Sequence, residues 1–322
     1  MIYLNEKDIK EIGINWEKLT DVIEGAVRSL GNGDFVQPVK PYLRYRDLTN
    51  RIIAMPAFIG GKSNIAGIKW IASFPHNINQ GIPRAHSVVI LNKAETGEPV
   101  GIINTALLSI LRTAAVTGLI IRYFNYERPL RDVKVGIIGW GPIGQYHFKM
   151  CTTLFGEKIS KIFLYDLRKI DLSTFESPYK EKIVIANKWE EAYEDADVFM
   201  TCTVSSAPYI DIAPKKGSLQ LNVSLRDYKT NIFDYMKDCI IVDDWDEICR
   251  EKTDIEMMHI DKGLEAKDTK SIVDVVVNRC MEGYKNESPI MFNPMGMAVF
   301  DMAVGAYYLK EAENRNIGLS LE

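Results

Sequence analysis

The apolar residues Leu19, Val22, Ile23, Val27 and Leu30 recur at a 3–4 spacing, which predicts a helix with one buried face. Asn15 is placed to cap its first turn, and Gly31-Asn-Gly33 to end it. The period then changes. Val39 to Tyr45, Arg51 to Pro56, Ala66 to Ser73 and Ser87 to Asn92 read as strands, separated by the turn segments Gly60-Gly61-Lys-Ser-Asn and Ala94-Glu-Thr-Gly97. Together they predict an α+β domain with a largely antiparallel sheet. A long apolar helix follows over about Thr105 to Phe124, and Asn125-Tyr-Glu-Arg-Pro129 leads out of it.

From Val133 onward short apolar runs alternate with helical stretches. Val133 to Ile138, Lys161 to Tyr165, Lys182 to Ala186, Val198 to Thr203, Ser218 to Val223 and Cys239 to Val242 read as strands, with Pro289 to Phe292 closing the sheet. This alternation predicts a parallel, doubly wound α/β sheet. The tail from Gly296 to about Ala312 reads as a helix that returns to the first domain. A chain of 322 residues exceeds most single cores, so two domains are expected. They are residues 1–125, completed by the C-terminal helix 297–322, and residues 126–296. The fold class is therefore α/β, a doubly wound domain joined to an α+β domain.

Composition narrows the function. Hydrophobic content of 47% and charged content of 25% suit an ordinary soluble globular chain. A net charge of −4 without a Lys/Arg cluster argues against nucleic acid and anionic membranes as partners. The sequence shows no signal-peptide pattern and no apolar run of bilayer length, so a cytoplasmic location is expected. Cys151, Cys202, Cys239, Cys249 and Cys280 are scattered, as for reduced thiols, and the four histidines show no ligand spacing, so no metal is expected.

The candidate chemistry begins at Gly139-Trp-Gly141-Pro142-Ile143-Gly144, directly between a strand and the helix expected over Gln145 to Leu154. Such a turn brings backbone close to a pyrophosphate and aims a helix N-terminus at it. The next strand ends at Asp166, where a carboxylate would bind the adenosine ribose 2′-hydroxyl and repel a 2′-phosphate. NAD is therefore the expected cofactor, although Arg168 is of the type that accommodates NADP. Thr203 and Ser224 follow two further strand ends and are expected to face the nicotinamide half of the cofactor, and Asp227 is a candidate acid/base there. Asp227 could equally cap a helix over Tyr228 to Tyr235. In the first domain Arg44, Lys69 and Arg112 are cations in unusual settings, Lys69 inside a strand and Arg112 beside Leu111 in the long helix. They could clamp a substrate carboxylate or form internal ion pairs with acidic residues.

Lys69 in Gly67-Ile-Lys, Arg112 in Leu-Arg-Thr-Ala-Ala, the mid-chain glycine turn and Asp227 after the Asn222 strand occur in the order found in the ornithine cyclodeaminase/mu-crystallin family, which the whole chain resembles. The resemblance implies a dimeric, NAD-dependent enzyme with a substrate and dimerisation domain and an NAD-binding domain. It also implies that Arg44, Lys69 and Arg112 bind substrate and that Lys69 and Asp227 take part in catalysis. Asn32 to Arg44, Arg51 to Pro56, Gly67 to Ile71, Val242 to Trp245 and Asn293-Pro-Met295-Gly296-Met297 resemble the siderophore-pathway branch, and Met295 and Gly296 join the expected cofactor contacts. That branch implies oxidative cleavage of N-(2-amino-2-carboxyethyl)-L-glutamate to L-2,3-diaminopropionate and 2-oxoglutarate. The family also contains cyclodeaminases, alanine dehydrogenases, ketimine reductases and a nucleotide-dependent binding protein, and all of these remain open. The chain differs from the family pattern at Thr269 to Asp274 and just after Trp70, which leaves the recognised side chain open.

Overall fold

The first strand, β1 (Ile2–Asn5), is too short for its apolar pattern to announce it. Its last residue, Asn5, accepts the Lys7 and Asp8 N–H groups and caps helix α1 (Glu6–Ile12). Helix α2 (Trp16–Gly31) forms where the 3–4 spacing predicts it. The Asn15 side chain accepts the Lys18 N–H, and Leu19, Ile23, Val27 and Leu30 are buried. The strands β2 (Phe35–Val36), β3 (Tyr42–Leu43), β4 (Arg51–Ile59), β5 (Ile65–Ser73), β6 (Ala85–Lys93) and β7 (Pro99–Asn104) follow. The strand expected over Val39 to Tyr45 contracts to two residues, because Pro38 and Pro41 lack the N–H donors a ladder needs.

The computed structural model describes residues 1–173, 175 and 177–322, which divide into two units. One comprises Met1–Val116 with Gly296–Glu322 and the other Thr117–Met295. In the first unit the sheet runs in the order Leu319–Ser320 strand, β1, β7, β6, β5, β4, β2, with β3 also paired to β4. It is antiparallel except where β1 pairs parallel with β7. Its register places Met55, Lys69, Val89 and Ile103 in one row across β4 to β7, all of them buried. The C-terminal helix, Ala298–Arg315, packs on β4, β5 and β6. The opposite face carries Leu43, Ile52, Ile68, Trp70 and Ile90 and stays partly exposed, Leu43 and Trp70 most of all.

Helix α3 (Leu107–Glu127) is 21 residues long, and the division between the units falls inside it. Against expectation it is long and apolar enough to cross a bilayer, but 78% of its most apolar window is buried within the protein, as for a core helix.

The second unit is built on β8 (Val133–Ile138), helix α4 (Pro142–Phe155), β9 (Ile159–Tyr165), β10 (Ile183–Ile185), β11 (Val198–Thr201), β12 (Leu219–Asn222), β13 (Ile240–Val242), β14 (Lys270–Ser271) and β15 (Ile290–Asn293). All eight strands are parallel, in the order β10-β9-β8-β11-β12-β15-β13-β14. The α/β doubly wound expectation holds, with one correction. The strand expected to close the sheet, β15, lies between β12 and β13, which suits its wholly buried Ile-Met-Phe-Asn sequence. The edge belongs to the polar Lys270–Ser271, which carries no strand signal. Strand order reverses beside β8 and β11, and in such sheets ligands bind beyond the carboxyl ends of the strands at that point.

Candidate active site

At the carboxyl end of β8 the chain turns through Gly139, Trp140 and Gly141 into α4. Gly139 holds φ +94°, and a Cβ there would lie 2.4 Å from the Cys202 carbonyl oxygen, so the position admits only glycine. A Cβ on Gly144 would lie 2.0 Å from the Gly139 carbonyl oxygen, which is why α4 can approach the turn so closely. Gly141 differs: a Cβ there would meet nothing within 4 Å. It caps α4 without a side-chain hydrogen bond, and Pro142 opens the first turn, where its missing N–H costs nothing. The first-turn amides, Ile143 and Gly144 among them, thus begin a helix whose cap faces open space, a cradle that fits a pyrophosphate.

Asp166 follows the end of β9 directly beside this turn. One of its oxygens accepts the Trp140 N–H at 2.7 Å, and the other accepts the Arg168 N–H at 2.8 Å. The exposed Arg168 guanidinium also reaches it, Nε to Oδ1 at 3.3 Å. Burial works to raise the Asp166 pKa, but the hydrogen bonds from Arg168 and Trp140 outweigh it and hold the carboxyl below its usual value. An ionised acid in this place fits a ribose diol and disfavours a 2′-phosphate.

Past β11 and β12 lie two buried carboxylates. Asp227 is fully buried, its Oδ1 accepting the Thr203 hydroxyl at 2.6 Å and its Oδ2 the Ser224 hydroxyl. Instead of a helix over Tyr228 to Tyr235, the chain forms a short turn at Thr230–Ile232 and four helical residues, Phe233–Met236, so Asp227 caps no such helix. Asp254, first residue of the helix Asp254–Lys262, is also buried. Its Oδ2 accepts from Asn222 Nδ2 at 3.0 Å, Asp227 N at 3.2 Å and Tyr228 N at 3.3 Å. Burial raises Asp254 to about 7, against the lowering effect of the Asn222 and Tyr228 donors. Met295, just past the end of β15, donates its N–H to Asp243 at 2.9 Å.

In the first unit Lys69 and Arg112, both buried, meet at one atom. Lys69 Nζ lies 2.9 Å and Arg112 Nε 3.1 Å from Oδ1 of Asp301, on the C-terminal helix. Asp301 is fully buried, and its Oδ2 has no hydrogen-bond partner among the described residues. Two cations against one carboxylate leave a net positive charge. Among the described residues the Arg112 Nη groups have no hydrogen-bond partner, so the fork that binds carboxylates bidentately stays available. Burial lowers Lys69 to about 8, Asp301 opposes this, and the nearby Arg112 and Lys40 charges add to it. Lys40 is buried too and donates to the Gly296 carbonyl at 2.8 Å, while Arg112 packs where a side chain on Gly296 would project.

Arg44 makes none of these contacts. It donates to the Leu48 carbonyl at 2.9 Å, lies 5.4 Å from the Tyr42 ring centre and stands further along the β3–β4 ladder. Internal ion pairing and a free cationic fork, posed as alternatives from sequence, thus coexist. Sequence reasoning passed over Asp301, Lys40 and Asp254. A signal for Asp301 was available, since an acid within Ala298-Val-Phe-Asp-Met-Ala-Val is as anomalous in an apolar helix as Arg112 is in its own. Asp254 after Thr253 looks like an ordinary first-turn acid and gives no such signal.

The comparisons with known proteins agree with this geometry. The chain is 32% identical over 338 residues to the N-((2S)-2-amino-2-carboxyethyl)-L-glutamate dehydrogenase of Staphylococcus aureus, covering 100% of this chain and 98% of that one. It is 24% identical over 328 residues to the alanine dehydrogenase of Archaeoglobus fulgidus, again covering 100% and 98%. Among solved structures, the Thermococcus litoralis Delta(1)-pyrroline-2-carboxylate reductase in complex with NADH and L-proline shares the fold over 100% of both chains, with a TM-score of 0.88 at 20% identity. The family model described as ornithine cyclodeaminase/mu-crystallin matches residues 3–316. With the glycine turn, the buried Lys69–Arg112–Asp301 cluster and near-complete coverage in hand, the chain belongs to the ornithine cyclodeaminase/mu-crystallin family.

Proposed function

We propose that this protein is an NAD-dependent amino-acid oxidoreductase acting on a C–N bond. The observation that carries the reading is the surplus positive charge on Lys69 and Arg112, buried where an α-carboxylate would neutralise it. Gly139, Gly141, Pro142, Ile143 and Gly144 would hold the pyrophosphate, Asp166 the ribose, and Thr203, Ser224, Met295 and Gly296 the nicotinamide half, with Arg168 beside the ribose acid. NAD held there would supply a hydride acceptor for the substrate α-carbon. The clamp on the carboxylate fixes the orientation of that carbon, and positioning supplies a large share of catalysis. Asp227 takes a proton from the substrate nitrogen or from the water that attacks the oxidised carbon. Lys69 shares in the proton chemistry through its depressed pKa.

Full-length identity of 32% supports N-(2-amino-2-carboxyethyl)-L-glutamate as the substrate, with hydrolysis of its imine releasing L-2,3-diaminopropionate and 2-oxoglutarate for siderophore precursor synthesis. An ornithine cyclodeaminase, another amino-acid dehydrogenase or a ketimine reductase would use the same carboxylate clamp, and in the first of these the side-chain amine replaces water as the nucleophile. A panel of α-amino and N-substituted amino acids, read by NADH formation with products identified, separates these readings. No NADH from any member would overturn the oxidoreductase reading, and NADH with proline from ornithine would replace the substrate. The unit Met1–Val116 with Gly296–Glu322 serves substrate binding and homodimer formation. The partly exposed apolar sheet face at Leu43, Ile52, Ile68 and Trp70 supports the dimer, because such a face is seldom left in water.

A further inference from the structure

We propose that Ser224 is a catalytic proton relay, its hydroxyl carrying the proton between the reacting substrate and the Asp227 carboxylate. The proposal rests on the reading of Asp227 as the base. Asp227 is fully buried, so neither of its oxygens meets solvent. Nor can it swing outward: its N–H donates to Asp254, and its carbonyl accepts the Tyr209 and Ile210 N–H groups at 2.8 Å each. A proton therefore reaches the carboxylate only through a group already bonded to it. The Tyr209 hydroxyl lies close by but makes no hydrogen bond to it among the described residues. That leaves the Thr203 and Ser224 hydroxyls, one on each carboxylate oxygen and both on partly exposed residues.

The two hydroxyls are not equivalent. Thr203 Oγ1 also accepts the Ser205 N–H, which engages a lone pair and anchors it. Ser224 Oγ makes no second hydrogen bond among the described residues, so its lone pairs remain open. Its backbone is held firmly: Ser224 N donates to Thr201 O at 3.0 Å, and Leu225 N donates to Asn222 Oδ1 at 3.1 Å. Leu225 itself sits in the left-handed region at φ +66°, a strained conformation for a branched residue that persists where the surroundings impose it. In the relay the Ser224 O–H bond breaks as its proton passes to Asp227 Oδ2. A new O–H bond forms on Ser224 with the proton released by the substrate nitrogen or the attacking water. No electrons are gained or lost, and protonation of the leaving amine runs the same path in reverse.

The test uses the full chain and the amino acid of the panel that yields NADH fastest, with NAD affinity measured alongside by protein fluorescence. Ser224→Ala is expected to lower kcat about 10²-fold, a loss much larger than any change in KM or NAD affinity. Ser224→Thr, which keeps the hydroxyl, should recover most of that loss. If Ser224→Ala keeps kcat within a few fold while Asp227→Asn loses 10²-fold or more, the relay is overturned and the base stands. If Asp227→Asn is itself near native, the base reading fails and takes the relay with it. A Ser224→Ala loss that falls on NAD affinity and leaves kcat at saturating NAD within a few fold of native also overturns the relay, leaving Ser224 a cofactor contact alone.

Discussion

In the first unit Lys69 and Arg112 share one oxygen of Asp301, whereas in the second, among the described residues, Asp227 and Asp254 are held by hydroxyls, an amide and backbone N–H groups. Both arrangements bury charge, which is costly in either case. The first solves the problem with an opposite charge and keeps a cation in excess. Such a cluster can attract an anion but has little freedom to exchange protons near neutral pH through its arginine. The second meets it with neutral donors and no ion-pair partner among the described residues, and burial lifts Asp254 to about 7. On the proposed reading the difference separates two main tasks, holding a carboxylate at the cationic cluster and moving a proton at Asp227.

The contrast can be broken most sharply at Asp227. Asp227→Asn keeps shape and most hydrogen bonding, so folding and NAD binding should persist while kcat falls about 10²–10⁴-fold in steady-state assays. Near-native turnover would strip the acidic cluster of its proton-moving role. Next comes Asp301→Ala, which leaves Lys69 and Arg112 facing each other without a counter-charge. Breaking a buried pair this way costs about 3–5 kcal/mol, and denaturant unfolding should show it. A loss below about 1 kcal/mol would mean the two cations are stabilised by something other than Asp301.

A smaller effect is expected from Arg112→Ala. It should lower kcat/KM about ten- to hundredfold, mostly through KM, with NAD affinity barely changed. An equal loss in NAD affinity would argue against a carboxylate clamp. The clamp also has a pH signature. Lys69 sits near 8 and is charged below that pH, so kcat/KM should decline as pH rises through about 8, where Lys69 loses its proton, Asp301 opposing that loss and Arg112 and Lys40 favouring it. Lys69→Arg should abolish this limb, because an arginine stays charged throughout. The smallest change is expected at Asp166→Ser, which removes one ribose hydrogen bond and one repulsion and should raise relative use of NADP about tenfold. Unchanged cofactor preference would assign discrimination to other groups.

Much of this was legible along the chain, and the misses are specific. Gly139 and Gly144 carried a geometric requirement that local backbone explains, so the turn is found where the motif stands. Arg112 and Lys69 were visible as charges in apolar settings. Their partner was not, because Asp301 lies 189 residues beyond Arg112 and no local pattern links them. Arg44, grouped with them from the sequence, donates to the Leu48 carbonyl, while Lys40, which was passed over, donates to the Gly296 carbonyl. For Asp227 the position past a strand end was readable, but its burial and its two hydroxyl partners were not.

The sequence by itself determined the alternation of elements, the two-part organisation, the phosphate-type turn and the residue types available for chemistry, since these depend on periodicity and on local backbone sterics. Tertiary structure alone decided the place of β15 inside the sheet, the sharing of Asp301 by two cations and the closure of Asp227 behind Thr203 and Ser224. Each of these depends on which distant segments become neighbours. That is settled by the summed packing of the core and the satisfaction of buried polar groups, which no single stretch of sequence contains.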